Sequence, residues 1–313
     1  MDTAHTLVMT GATGGIGARA LEDILEDDPS LHVVVLARAA AAARTVAELR
    51  DRGRAVTAVP ADLSDAGDVL AAVRRIDALL AAGAIPPLHG LVGNAGVQYT
   101  NALTRTPQGY EATFAVNVVA NHLLITGLRD RFQAGSRITV TVSDTHFGDF
   151  RHNMGMVPAP RWHDPAVLAR PGAFPDPATT AAGRTAYSTS KLAAVHLVHA
   201  HARRLPAGVD IVSFNPGLVP GTQLARDADA VSRFVLRRLM PLLTVTAAAT
   251  TPARAGRHLA DVVTGALVTE TGAYVDKARV RRSSVQSYDS GREDALWEEL
   301  ERIRLSVPHS APC

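Results

Sequence analysis

Short apolar runs recur along the chain, each ending at a glycine, an acid or a small polar residue and each followed by a stretch with apolar positions three and four apart. Thr6 to Thr10, His32 to Leu36, Ala55 to Pro60, Leu88 to Val92, Arg137 to Val142 and Val209 to Phe214 read as six strands, with Gly272 to Val275 a short seventh. Between them the helical period runs through Leu21, Ile24 and Leu25, then from Arg44 to Arg52 before Gly53, then from Asp65 to about Ala82 with Ser64 at its cap. A long helix is expected from Thr106-Pro107, with Phe114, Val118, Leu123 and Leu124 on its core face, and another capped near Thr185. Strands alternating with helices predict an α/β chain: one doubly wound, parallel sheet of about seven strands, covered by helices on both faces, in a single domain over 1–313. Ligands of such sheets bind at the carboxyl ends of the strands.

Two stretches stand outside this alternation. Residues 144–186 form a long segment rich in proline, glycine, histidine and arginine, as in Pro158-Ala-Pro-Arg-Trp162, and a loop of this length is usually functional or disordered. Its ends are pinned at a strand end and a helix, so it is expected to lie over a substrate as a lid or wall. Residues 222–250 contain an amphipathic pattern, with Val231, Phe234, Val235, Leu236, Leu239, Met240 and Leu243 beside Arg233, Arg237 and Arg238. Core packing, a dimer contact, a flap over a large apolar substrate and attachment to a membrane surface are all compatible with it.

Composition narrows the function classes. The chain has 313 residues, 47% of them hydrophobic, and a mean hydropathy of +0.07, enough to bury a large core. A net charge of +2 with 4% aromatic residues argues against a nucleic-acid surface. The only cysteine is Cys313, which rules out an internal disulfide or a cysteine-built zinc site and points to a reducing, cytoplasmic setting. His146, His152 and His163 have no ligand spacing, so no metal is expected; His196, His199 and His201 read as packing or subunit-contact residues. Met1-Asp-Thr-Ala-His lacks the basic start of an export signal, and no run reaches the ~18 apolar residues of a membrane span.

The strand ends carry the chemistry. Gly11-Ala-Thr-Gly-Gly15-Ile-Gly17 lies between the first strand and its helix, where glycines let the backbone approach a pyrophosphate at a helix N-terminus. Ala37-Arg38 closes the second strand; an arginine there can pair with a 2′-phosphate where an acid would bind a ribose hydroxyl, which favours NADP(H). Asp62 follows the third strand, where an acid could bond an adenine amino group, and Asn94-Ala95-Gly96 follows the fourth. Ser143 ends the fifth strand, and Asn215-Pro216-Gly217 the sixth. Tyr187 and Lys191 are four apart on one helix face. Bringing a phenol to work near neutrality takes a shift of about 3 units, or roughly 4 kcal/mol, for which a neighbouring ammonium is a suitable source. Such a pair can exchange a proton with a carbonyl or alcohol oxygen. Asn117 lies inside the long helix, where it serves either a bend or a water.

In order and approximate spacing, Gly11-x3-Gly15-x-Gly17, Asn94-Ala-Gly96, Asn117, Ser143, Tyr187-x3-Lys191 and Pro216-Gly217 resemble the short-chain dehydrogenase/reductase family over nearly the whole chain. The resemblance implies a Rossmann fold, Tyr187 as general acid/base, Lys191 as its partner and a ribose ligand, Ser143 on the substrate oxygen, and Asn117 on a relay water. It implies a cofactor lined by Gly11, Thr13, Gly14, Gly15, Ile16, Gly17, Arg38, Asp62, Leu63, Asn94, Ala95, Gly96, Tyr187, Lys191, Pro216, Gly217, Leu218 and Val219. Within the family the chain looks most like the branch of retinol dehydrogenases and light-dependent protochlorophyllide reductase, by Ala37-Arg38, Asn117-x3-Asn121-His122, the segment from Pro216 to Leu224 and the tail Asp294 to Ile303. It departs in three ways: Asp144 replaces a usual second serine, residues 144–186 are long, and that segment has no cysteine, so light-driven chemistry is not expected. The expected activity is an NADP(H)-dependent carbonyl reductase or alcohol dehydrogenase acting on a bulky hydrophobic, even polycyclic, ketone or alcohol. The protein would be a monomer or a homodimer, with no nucleic acid or integral membrane segment involved. The alternative is a same-fold protein that uses the bound nucleotide structurally, for cyclisation, epimerisation or regulation.

Overall fold

The computed structural model describes residues 4–219 and 250–307. One sheet organises them. Its strands are β1 (Thr6–Thr10), β2 (His32–Ala37), β3 (Val56–Pro60), β4 (Leu88–Gly93), β5 (Arg137–Thr141), β6 (Asp210–Asn215), β7 (Tyr274–Asp276) and β8 (Arg279–Arg281), in the order β3-β2-β1-β4-β5-β6-β7-β8. The first seven are parallel; β8 turns back antiparallel on β7. The eighth strand was not expected from the sequence, because Arg279-Val-Arg281 is exposed throughout and carries no apolar signal.

The direction of winding reverses between β1 and β4, whose register sets Thr10 beside Gly93. The Gly11–Gly17 turn and Asn94 therefore leave the sheet side by side. That is the switch point at which doubly wound sheets hold their ligands.

Helices cover both faces. On one, α1 (Gly15–Asp27) and α2 (Ala39–Asp51) pack with the helix Pro252–Val263 over Met9, Val33, Val35 and Phe214. On the other lie α3 (Ala66–Ala81), α4 (Ala112–Phe114) running through a π turn at Ala115–Val119 into α5 (Ala120–Leu128), and α8 (Thr180–Ala202). The short helices α6 (Phe150–Asn153) and α7 (Pro165–Leu168) fall within 144–186, and α9 is Pro252–Val263. The last helix, α10 (Ser290–Ser306), lays Leu296, Leu300 and Ile303 on the second face. None of the described helices is long and apolar enough to cross a membrane.

Several helix starts differ from the sequence expectation, and at α3, α4 and α8 another side chain supplies the cap. Asp65, not Ser64, caps α3, accepting from the amides of Gly67 and Asp68, while Ser64 is engaged with Asp62. Thr106-Pro107 opens a turn, Tyr110 N donating to Thr106 Oγ1 at 3.1 Å; the helix itself begins after Glu111, whose carboxylate accepts from Thr113 N and Phe114 N. Burial pushes the Glu111 carboxyl up to about 7 despite those bonds. Thr179 rather than Thr185 caps α8, and α2 starts at Ala39, ahead of the expected Arg44. Residues 144–186 are not structureless: a 3-10 turn at Asp144–Phe147, α6, α7 and the first turns of α8 occupy much of them. Of the amphipathic stretch 222–250, all but Thr250 lies outside the described residues. Thr250 N donates to Leu218 O at 2.9 Å, so the described chain resumes beside the point where it stops.

Candidate active site

The glycine turn is closed by the residues around it. Gly11 has φ +69°, and a Cβ there would stand 2.8 Å from both Ala95 N and Asn94 Nδ2. A Cβ on Gly17 would overlap the Gly11 carbonyl oxygen, so the turn can be this tight only with glycine at both places. Asn94 braces it, donating from Nδ2 to Gly11 O at 3.4 Å and accepting at Oδ1 from Thr141 Oγ1 at 3.1 Å. Thr10 Oγ1 accepts from Ala95 N at 3.1 Å.

These residues fit a dinucleotide. Gly14 caps α1 with no side-chain hydrogen bond, and a Cβ built on it meets nothing within 4 Å, so the approach to the start of that helix is open. Thr13 and Ile16 flank the opening in sequence. Arg38 is exposed at the N-cap of α2, and Asp62 is exposed beyond β3, where Oδ1 accepts from Ser64 N and Oγ at 2.9 and 2.8 Å. Leu63 packs against the core beside it. Beyond β6, Gly217 N donates to Asn215 Oδ1 at 3.1 Å and sets the course of Pro216 to Val219.

The chemistry-bearing side chains converge at the ends of β4 and β5. Ser143 leaves β5 as the cap of a 3-10 turn, its Oγ accepting from Thr145 N at 3.4 Å. Tyr187, on α8 and only 5% exposed, faces that same Ser143 side chain, which draws the pKa of its phenol down. One helical turn on, Lys191 Nζ donates to Thr141 O at 2.9 Å and lies 5.7 Å from the Tyr187 ring centroid. Gly96 makes room for it, since a Cβ there would approach Nζ to 3.3 Å.

The electrostatics run against the sequence expectation of a phenol made acidic by its lysine. Burial is the larger influence on both groups. It pushes Tyr187 up to about 12, with Ser143 pulling it part of the way back, and brings Lys191 down to about 8. The phenol thus holds its proton firmly at neutral pH, the state a proton donor needs.

Asn117 sits in the π turn, where its helix changes course. Its side chain is fully engaged: Oδ1 accepts from Val97 N at 2.9 Å, and Nδ2 donates to Val97 O at 3.0 Å and to Ser190 Oγ at 2.9 Å. Its carbonyl accepts from Asn121 Nδ2 at 2.9 Å. Asn117 therefore ties the segment after Gly96 to α8, between Tyr187 and Lys191 in register.

Two contributors left no clear sign in the sequence. Thr141 is an ordinary strand residue whose carbonyl happens to anchor Lys191. His146 is 0% exposed; its Nε2 accepts from Ser284 N at 3.2 Å, so the Nδ1 proton points at Ser143 O, 2.6 Å away. Burial lowers this imidazole to about 4, keeping it neutral. Of the other histidines, His196 and His201 are buried within the chain, and His199 stacks on Tyr288.

The comparisons with known proteins bear on the family and the fold. The family model described as short chain dehydrogenase matches residues 5–149. A relative from Streptomyces sp. (strain C5), named "Putative daunorubicin C-13 ketoreductase DnrU", is 32% identical over 94% of this chain and 90% of its own. Among solved structures, the NADPH-bound carbonyl reductase from chicken fatty liver superposes with a TM-score of 0.60 at 17% identity, covering 90% of this chain and 100% of that one. The 3-ketoacyl-(acyl-carrier-protein) reductase of Brucella melitensis, complexed with NADH, gives 0.58 at 22% identity over 87% and 96%. The chain belongs to the short-chain dehydrogenase/reductase family of nicotinamide-dependent oxidoreductases.

Proposed function

We propose that this oxidoreductase uses NADP(H) to interconvert a bulky hydrophobic, polycyclic ketone and its alcohol. The observation that carries the reading is the meeting of Tyr187, Ser143 and Lys191 at the strand ends flanking the glycine turn. Tyr187 holds the proton that the substrate oxygen receives, and Ser143 supplies a second hydrogen bond that orients that oxygen. Lys191, anchored on Thr141 O, would hold the ribose of the cofactor with its remaining donors. Asn117 keeps α8 in register through Ser190 and Val97. When bound, the nicotinamide supplies or accepts the hydride.

Arg38 supports the 2′-phosphate form of the cofactor, because it is exposed at the end of β2 and forms no ion pair among the described residues. The polycyclic substrate is supported by the relative named for daunorubicin C-13 ketoreduction and by residues 144–186, which join Ser143 to the helix of Tyr187.

A panel of carbonyl compounds tests the reading. NADPH oxidation is expected with large fused-ring ketones and at least about ten-fold less kcat/KM with small aldehydes, which fill less of an apolar site. Turnover of the small compounds alone would overturn the substrate class. No NADPH oxidation with any carbonyl would favour structural use of the nucleotide.

A further inference from the structure

Asp144 follows Ser143 directly, and the chemistry above gives it no part. Its Oδ1 accepts from Asn215 Nδ2 at 2.5 Å and from the Tyr274 phenol at 3.1 Å. The second proton of the Asn215 amide goes to Asp276 Oδ1 at 3.0 Å, and Asn215 Oδ1 accepts from Gly217 N at 3.1 Å. The Asn215 carbonyl accepts from Lys277 N at 2.8 Å. Asn215 is 1% exposed, and every polar atom of its side chain is used.

The turn beyond Asn215 is held equally closely. Gly217 has φ +74°, and the Lys277 Cε occupies the space 2.5 Å from where its Cβ would be. Lys277 itself adopts φ 56°, so the β7–β8 turn closes over Gly217. Asp144 reaches β6 through Asn215 and β7 through the Tyr274 phenol.

The geometry points to Asp144 as a positioning residue: through Asn215 its carboxylate ties the turn bearing Ser143 to the Pro216–Val219 segment, holding the substrate-oxygen donor and the cofactor wall in one register. A serine at this place would end one atom short of Asn215. Burial and the neighbouring Asp276 push the Asp144 carboxyl up to about 6, while Tyr274, Lys277 and His152 draw it back. A side chain kept in so adverse a place is held by its partners, not by solvent. The inference rests on the oxidoreductase reading, since it takes Pro216–Val219 as lining the cofactor.

Fluorescence titration of the full-length protein with NADPH, alongside steady-state kinetics, tests it. Asp144→Ala leaves a buried amide proton without an acceptor, and about a ten-fold weaker NADPH affinity is expected. Asp144→Asn, whose Oδ1 can still accept from Asn215, should recover to within about three-fold of the wild type. Asn215→Ala should lose at least as much, since it also removes the acceptor of Gly217 N, and the double variant should bind no more weakly than Asn215→Ala alone, because Asp144 acts through Asn215. If Asp144→Ala fails to fold, Asp144→Ser is expected to show the same loss. An Asp144→Ala or Asp144→Ser protein that binds NADPH within two-fold of wild type, or losses that multiply in the double variant, overturns this inference alone. A wild-type protein that binds neither NADPH nor NADH overturns the oxidoreductase reading and this inference with it.

Discussion

Replacing Tyr187 by phenylalanine is expected to lower kcat about a thousand-fold and leave NADPH binding within about two-fold of wild type. The ring is 5% exposed and would keep its packing, so what is lost is one hydroxyl beside Ser143. That hydroxyl is the group held protonated at the strand ends, its pKa raised to about 12 by burial. Without it, charge that develops on the substrate oxygen has no proton to receive, and Ser143 alone offers hydrogen bonding. Lys191 does not take its place, because its Nζ is tethered to Thr141 O one turn further along α8, 5.7 Å from the Tyr187 ring centroid. Stopped-flow or steady-state kinetics beside a direct binding titration separate the two effects. A variant that turns over at the wild-type rate would remove Tyr187 from the chemistry.

Arg38→Asp is expected to shift the preference for NADPH over NADH by about a hundred-fold in kcat/KM. A guanidinium facing a 2′-phosphate makes charge-assisted, two-pronged hydrogen bonds worth about 1.5–3 kcal/mol each, or ten-fold or more. A carboxylate at the same place repels the phosphate and accepts instead from free ribose hydroxyls. Arg38 is exposed and takes no part in the core, so the change should leave the fold intact and act on the cofactor alone. Parallel kinetics with both nucleotides decide it. An unchanged ratio would mean that the phosphate is read elsewhere or not at all.

The fold was legible where burial and periodicity coincide. Seven parallel strands followed from apolar runs and glycine turns, because a strand covered on both faces has little freedom in composition, whereas the order of the strands came only with the structure. The exposed Arg279–Arg281 strand had no such signature and was invisible. Helix starts were displaced where several capping residues compete: Ser64 and Asp65 are adjacent, and the acid with two amides in reach prevailed. The Tyr187–Lys191 spacing gave the meeting of those side chains but the wrong sign for the phenol, since sequence carries charge neighbours and not the depth of burial. Asn117 was placed correctly on its helix, yet its partners Val97 and Ser190 lie far along the chain and could come only from the fold. Asp144 stood out in the sequence as a departure from the family pattern. Its meaning required Asn215 and Tyr274, which the sheet brings to it from two other strand ends.

The central claim is that a hydride passes between nicotinamide and a carbonyl carbon while Tyr187 serves the oxygen. NADPH deuterated at both C4 positions, incubated with a ketone substrate and the purified protein, tests it by mass spectrometry of the product. The account predicts an alcohol with one deuterium on the carbinol carbon for each NADPH consumed. A product free of deuterium, or formed without NADPH oxidation, would contradict it.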